Sequence, residues 1–231
     1  MVSRFFVLLL LTGVGAIFVS LMFGYVPDDA LNLTARYYAE NTVRDTGAAN
    51  IVAAIVVTFR GLDTLGEVTV LFLTAAIVGL VLAGSQQGRL RREQPAPGEL
   101  LVTGTRLLVP LILLLGVYVF VNGHLTPGGG FQGGAILASA ILMLLLADPL
   151  REFSHRLISA IESISGLVFV AIGLLGMVYA GGFLDNRILP LGTLGDLISA
   201  GAIPVIYSFI GLKVGAEFSS MMVNLSETEE P

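Results

Sequence analysis

A few residues of this chain carry charge or a titratable ring among apolar neighbours, and any chemistry would run through them. Glu67 opens a long apolar run, with Asp63 and Arg60 four and seven residues before it. That spacing stacks the three on roughly one face of a helix. Lys213 and Glu217 stand at i and i+4 within Gly211-Leu212-Lys213-Val214-Gly215-Ala216-Glu217, among small residues that suit close contact with another helix. Glu162 lies about a turn into a further apolar run beside Ser163 and Ser165, and His124 precedes a glycine-rich stretch from Pro127 to Gly134. Such groups can take up and release protons or hold a cation. A lysine desolvated enough to shed its charge near neutrality can exchange protons, which an arginine cannot.

The surroundings make these residues conspicuous. Of the 231 residues, 55% are hydrophobic and only 13% charged, with a mean hydropathy of +0.89. A soluble domain carries roughly twice that charged fraction, so lipid must cover most of the apolar side chains. A formal charge of −5 offers no basic face to nucleic acid. The absence of cysteine removes disulfides, thiolate metal sites and thiol nucleophiles. His124 and His155 are the two histidines, too few for a histidine-built metal centre. No cofactor site and no catalytic constellation is expected.

The elements that position the charges follow from the apolar runs. Phe5 to Gly24, after Arg4, is long enough to span a bilayer and lacks a clean cleavage site, so it is expected to be retained. Tyr25 to about Gly47 is too charged for lipid and suits a surface helix or structured loop. Ala48 to Ala83 is interrupted by Phe59-Arg60-Gly61-Leu62-Asp63-Thr64-Leu65-Gly66-Glu67. As one helix it would measure on the order of 50 Å, more than a bilayer holds. A break is expected near the two glycines, with Asn50 to Thr58 a short piece and Val68 to Ala83 the span. A polar linker with Arg89, Arg91, Arg92, Pro95 and Pro97 follows, then runs at Leu107–Asn122, Phe131–Ala147, Ile158–Ala180 and Leu197–Val223. The expected fold is all-α: a polytopic membrane protein of about six transmembrane helices, one with a broken or bent start. Arginines favour one side: Arg4, Arg89, Arg91, Arg92, Arg106, Arg151 and Arg156 against Arg36, Arg44 and Arg187. The positive-inside rule then places both termini in the cytoplasm.

Each candidate also has a plain explanation. Ionisable groups within spans cost roughly 3 kcal/mol each at the bilayer centre. The backbone freed by a break beside Glu67 must be buried against protein or line a wet cavity. Glu67 can otherwise be a first-turn acid at the outer surface. Lys213 can snorkel from the inner half of its span, with Glu217 at the interface. Glu162 either lines a hydrated cavity or sits at a helix end. His124 and Gln132 belong to a tightly packed re-entrant turn, or His124 is a surface residue; the glycines lack the lysine–serine pair and preceding strand of a nucleotide loop. His155 beside Arg156 is expected in a solvated loop. Pro110, Pro190 and Pro204 are expected at kinks or helix starts.

Two stretches carry a resemblance. Asp45-Thr46-Gly47-Ala48-Ala49-Asn50-Ile51-Val52 together with the segment from Phe59 to Glu67 resembles the C-terminal extension of the large A subunit of Mrp-type (multiple resistance and pH) cation/proton antiporters. In membrane-bound hydrogenases of the same lineage, this extension is a separate small subunit. Asn122-Gly123-His124-Leu125-Thr126-Pro127-Gly128-Gly129-Gly130-Phe131-Gln132-Gly133-Gly134 and the Gly211–Glu217 segment resemble the B subunit of those antiporters. The resemblance implies a two-span module at 1–88, a cytoplasmic linker at 89–104 and a four-span B-like module at 105–231. The large channel part of the A subunit is missing. An accessory, non-catalytic subunit of a sodium/proton-translocating complex in the cell membrane is implied. Its partners would be the bilayer, other membrane subunits, Na+ and H+, and in the family the acid matching Glu67 is regarded as part of the ion path. The same module in a hydrogenase-type respiratory complex, or as a structural scaffold, is the alternative.

Overall fold

The computed structural model describes residues 2–25, 30–85, 97–149 and 151–229. The described residues are helical or irregular. Pro27-Asp28-Asp29, Arg89, Arg91, Arg92 and Pro95, used above for the loop and the linker, lie outside them. Two compact units are present, residues 1–37 and 38–231.

The first unit holds α1 (Val2–Gly24), whose described side chains are all exposed along its length. At 1.5 Å per residue it measures about 35 Å, a bilayer's thickness. The helix α2 (Leu33–Thr46) begins in this unit and ends in the second.

In the second unit, α3 (Ile51–Ala54) runs directly into a π-helical turn at Ile55–Phe59. Asn50 sets the start of α3 by accepting hydrogen bonds from the Val52 and Ala53 N–H groups on its side-chain oxygen. An asparagine in extended backbone satisfies the first orphan donors of a helix in this way. The wide turn closes where the Arg60 N–H donates to the Ile55 carbonyl, at 2.7 Å. The Val56 carbonyl accepts instead from the Thr64 hydroxyl, one turn into the next helix. The break therefore hides its freed backbone with a side chain, as a membrane-embedded break must. Together α2 and the Ile51–Phe59 segment bend by 84° and qualify by hydropathy as one broken span or a re-entrant loop.

Five long helices follow the break: α4 (Gly61–Ser85), α5 (Glu99–Val121), α6 (Gly130–Ala147), α7 (His155–Tyr179) and α8 (Ile203–Glu229). By length and hydropathy α1, α4, α5, α6 and α7 can cross a membrane, and the bent pair raises that number from five to six. The last expected span, α8, is less hydrophobic than these because of its polar residues. It is the axis of the bundle, packed against α4, α5, α6 and α7. Its protein neighbours replace lipid, so it needs less apolar surface. The break falls at Arg60–Gly61, beside the first of the two glycines as expected, but Gly66 lies within α4 and the span begins at Gly61 rather than Val68.

Close approach explains the glycines of α6. A Cβ on Gly134 would lie 2.7 Å from the Gly211 carbonyl oxygen and 2.9 Å from the Gly215 nitrogen of α8. A Cβ on Gly133 would meet the Gly116 carbonyl oxygen of α5 at 2.8 Å. The helix thus wedges between two backbones, as small residues permit in membrane bundles. Pro204, second in α8, stands at a helix start where its missing N–H costs nothing. Pro110 lies inside α5, and Pro190 lies in the irregular connection before α8.

Candidate functional site

Lys213 stands roughly 15 Å along α8 from Ile203 at 1.5 Å per residue. Gly166, where an added Cβ would lie 3.5 Å from the lysine's Cδ and Nζ, stands at a similar depth along α7. The ammonium is therefore near mid-bundle. It lies 2.7 Å from Oε1 of Glu217 and 5.1 Å from the Phe72 ring centroid on α4. The Lys213 and Glu217 side chains are 10% and 0% exposed, so the snorkelling geometry is not adopted. The ion pair is close, yet neither Glu217 oxygen has a hydrogen-bond partner of good geometry among the described residues.

Glu162, half-buried on α7, completes the cluster. Its charge acts on Glu217, repelling it. Together with Thr69, Ser163 and Lys213 it lines a groove of about 270 Å³ between α4 and α7, walled by Leu65, Val68, Phe72 and Val170. The groove opens at the bundle surface and ends at the lysine. The ammonium thus pairs with a carboxylate sealed in the bundle, while a second carboxylate lines the same groove. Transferring either ion out of water is expensive, and only mutual attraction offsets that cost.

Arg60, Asp63 and Glu67 form a different kind of feature. Arg60 Nε and Asp63 Oδ2 pair at 2.6 Å, but both side chains are more than half exposed. Glu67 is exposed in the second turn of α4, within electrostatic reach of the Tyr207 hydroxyl on α8. These three residues are at the start of α4 and do not join the Lys213 cluster. An exposed carboxylate on a membrane helix requires a wet or protein-covered surface.

His124 is fully buried, so the surface reading is incorrect. Its Nε2 lies 3.3 Å from the Asp196 carbonyl oxygen, to which it donates when it carries the ring proton. Its own carbonyl accepts from the Ala49 and Asn50 N–H groups, each at 3.0 Å. The Asn50 amide in turn donates to the Gly123 and Thr126 carbonyls, at 2.9 and 3.0 Å. Burial pushes the imidazole below its ordinary pKa, outweighing the carbonyls of Asp196 and Val121 that favour the charged ring. Through its backbone carbonyl, His124 locks the start of the broken helix to the α5–α6 turn. Gln132 is exposed.

Nothing in the sequence singles out Asn186. It is buried, and its amide donates to the Thr46 carbonyl at 2.7 Å and the Ala200 carbonyl at 2.8 Å, binding the end of α2 to the segment before α8. An asparagine next to Arg187 in a polar loop shows no periodic signal. Asp185, 6% exposed, pairs with Arg187, a contact also unforeseen.

A bundle of apolar helices with a lysine–glutamate pair buried at its centre defines a multi-pass membrane protein with ionisable groups inside its helix bundle. Residues 100–220 match the family described as a domain related to the MnhB subunit of Na+/H+ antiporter, and residues 3–103 match the MbhE family, described as the E subunit of MBH. The chain belongs to the MnhB-related family. It is similar to the B subunit of a Na+/H+ antiporter of Bacillus subtilis, with 38% identity over 97 residues, 41% of this chain and 68% of that protein. A chain of the membrane-bound sulfane sulfur reductase, an archaeal respiratory membrane complex, matches with TM-score 0.81 and 38% identity, covering 97% of this chain and 98% of that one. A chain of the Mrp complex from Dietzia sp. matches with TM-score 0.77 and 29% identity over 97% of this chain but 26% of the other. The same arrangement thus occurs as a free-standing chain and as about a quarter of a longer one.

Proposed function

We propose that this chain is an accessory membrane subunit of an Mrp-type cation/proton-translocating complex, and that Lys213, Glu217 and Glu162 carry an ion across part of it. The observation that carries this reading is the sealed Glu217, paired with one lysine and repelled by a second carboxylate at the end of a surface groove. Lys213 can answer either carboxylate, so a proton or cation arriving at Glu162 would weaken its hold on Glu217. Glu67, Asp63, Arg60 and His124 lie outside this cluster. Glu67 is assigned to a wet surface shared with another subunit, with the Arg60–Asp63 pair beside it, and His124 to holding the re-entrant turn.

The chain is read as non-catalytic, a transport subunit with both termini in the cytoplasm of a cell whose plasma membrane it spans. The two-part organisation, an extension-like module at 1–88 and a B-like module at 105–231 joined by 89–104, is supported by family matches that meet near residues 100–103. Glu217→Gln tests the function. With the complex assembled, cation-dependent proton movement into vesicles should fall at least tenfold, while a wild-type rate would remove Glu217 from the path. Glu67→Gln, tested alongside, should slow transport without disturbing assembly; an unchanged rate would remove it from that role.

A second reading is a scaffold whose ion pair staples α8 to its neighbours; the contact of Lys213 with α4 and α7 favours it. A third is the same subunit in an electron-driven complex, favoured by the sulfane sulfur reductase match along the full chain. Identifying the subunits purified with this chain separates the third from the first.

A further inference from the structure

A second groove, of about 340 Å³, lies among α5, α6, α7 and α8 and is unrelated to the one that ends at Lys213. Its walls include Leu113, Ile141, Phe153, Ile161 and Leu212, with Gly215 and Ala216 of α8 as floor. The polar residue lining it is Ser219, whose hydroxyl is already donated to the Gly215 carbonyl at 2.6 Å. The groove therefore offers a ligand no side-chain hydrogen-bond donor and suits a hydrocarbon. It is too small for a helix, about 10–12 Å across with side chains, and falls near the lower end of ordinary ligand pockets, ~300–1,000 Å³.

Two arginines stand toward one end of the groove. Phe153, in the connection between α6 and α7, carries the Arg151 guanidinium 5.7 Å from its ring centroid. Arg106, exposed on α5, stands seven residues before Leu113 and so on the same helical face, roughly 10 Å toward the start of that helix. The start of α5 and the end of α6 are at the same end of this antiparallel pair, so both arginines are at one end of the groove. Asp148 and Glu152 are also exposed in that connection, but it is Arg151 that lies on the groove-lining ring.

We propose that this groove binds one chain of an anionic glycerophospholipid, with the phosphate between Arg106 and Arg151. The chain seals the α8 face at Gly215 and Ala216, beside Glu217, against water entering from the lipid side. Charge complementarity at the mouth selects the headgroup, and the groove selects only for hydrocarbon.

The protein has no tryptophan, so Phe153→Trp supplies a sole fluorophore at the groove. The full chain is reconstituted in phosphatidylcholine vesicles doped with brominated phosphatidylglycerol or, separately, brominated phosphatidylcholine. Brominated phosphatidylglycerol should quench at several-fold lower mole fraction. Arg106→Gln and Arg151→Gln should each reduce that preference, roughly fivefold for one basic residue at a membrane surface. Ala216→Leu, which fills the floor, should lower quenching by both lipids. Equal quenching by the two lipids in the Phe153→Trp parent would overturn the proposal, as would a preference that survives removal of both arginines. So would protection of the tryptophan from both lipids in the assembled complex, which would mean that a partner subunit covers the groove.

Discussion

Removing one member of the Lys213–Glu217 pair leaves the other charge stranded in the bundle, at a cost of about 3–5 kcal/mol. Replacing both by apolar residues of similar length removes the charges together and is often neutral in stability. Lys213→Ala should therefore lower the denaturation midpoint of the purified chain markedly, whereas Lys213→Met with Glu217→Met should nearly restore it. Unfolding in mixed detergent compares the two. Failure of the double variant to recover would mean that α8 needs the charges for more than each other. His124 makes a second prediction at this scale. Its folded pKa lies below the unfolded value of roughly 6.5, so the unfolded chain binds more protons as pH falls through that range. Stability is full above that value and declines as the pH drops below it. Melting temperature should fall on acidification from pH 7 toward 5, and His124→Gln should flatten the dependence.

At the scale of elements, the broken helix and the glycine wedge carry the architecture. Asn50→Leu would leave the Gly123 and Thr126 carbonyls without their donor and α3 without its cap. The loss should be about 2 kcal/mol, a cap of ~1 with an unmet buried group. Gly134→Val would push α6 off α8 and destabilise by about 1–3 kcal/mol through overpacking. Both are measurable by the same unfolding assay. Much of this scale is legible in the sequence. The apolar runs give the helices, and Arg60-Gly61 gives the break. The π-helical turn is not legible, because its spacing depends on Thr64 reaching the Val56 carbonyl across the break. The role of α8 is also hidden. A central helix and a lipid-facing one both show apolar residues, and only neighbours distinguish them. For the site, the i, i+4 spacing of Lys213 and Glu217 correctly puts them on one face. It does not reveal that this face points inward, nor that Glu162 comes near from α7. Glu67 stands beside the break as expected, yet it is exposed rather than enclosed.

For the whole molecule, orientation is the simplest consequence to check. The chain has no cysteine, so single cysteines can be introduced at Thr193, in the connection before α8, and at Ser226, near its end. Membrane-impermeant maleimide should label the first from outside intact cells and the second only after permeabilisation. The assembly supplies what this chain lacks. Exposed α1, exposed Glu67 and the groove ending at Lys213 all face surfaces that lipid or other subunits must complete. The most direct test of the central claim is cation-dependent proton transport by the assembled complex carrying Lys213→Met and Glu217→Met together. An ion path through the pair predicts an intact complex with transport reduced at least tenfold; transport at the wild-type rate would contradict it and leave the pair a structural staple.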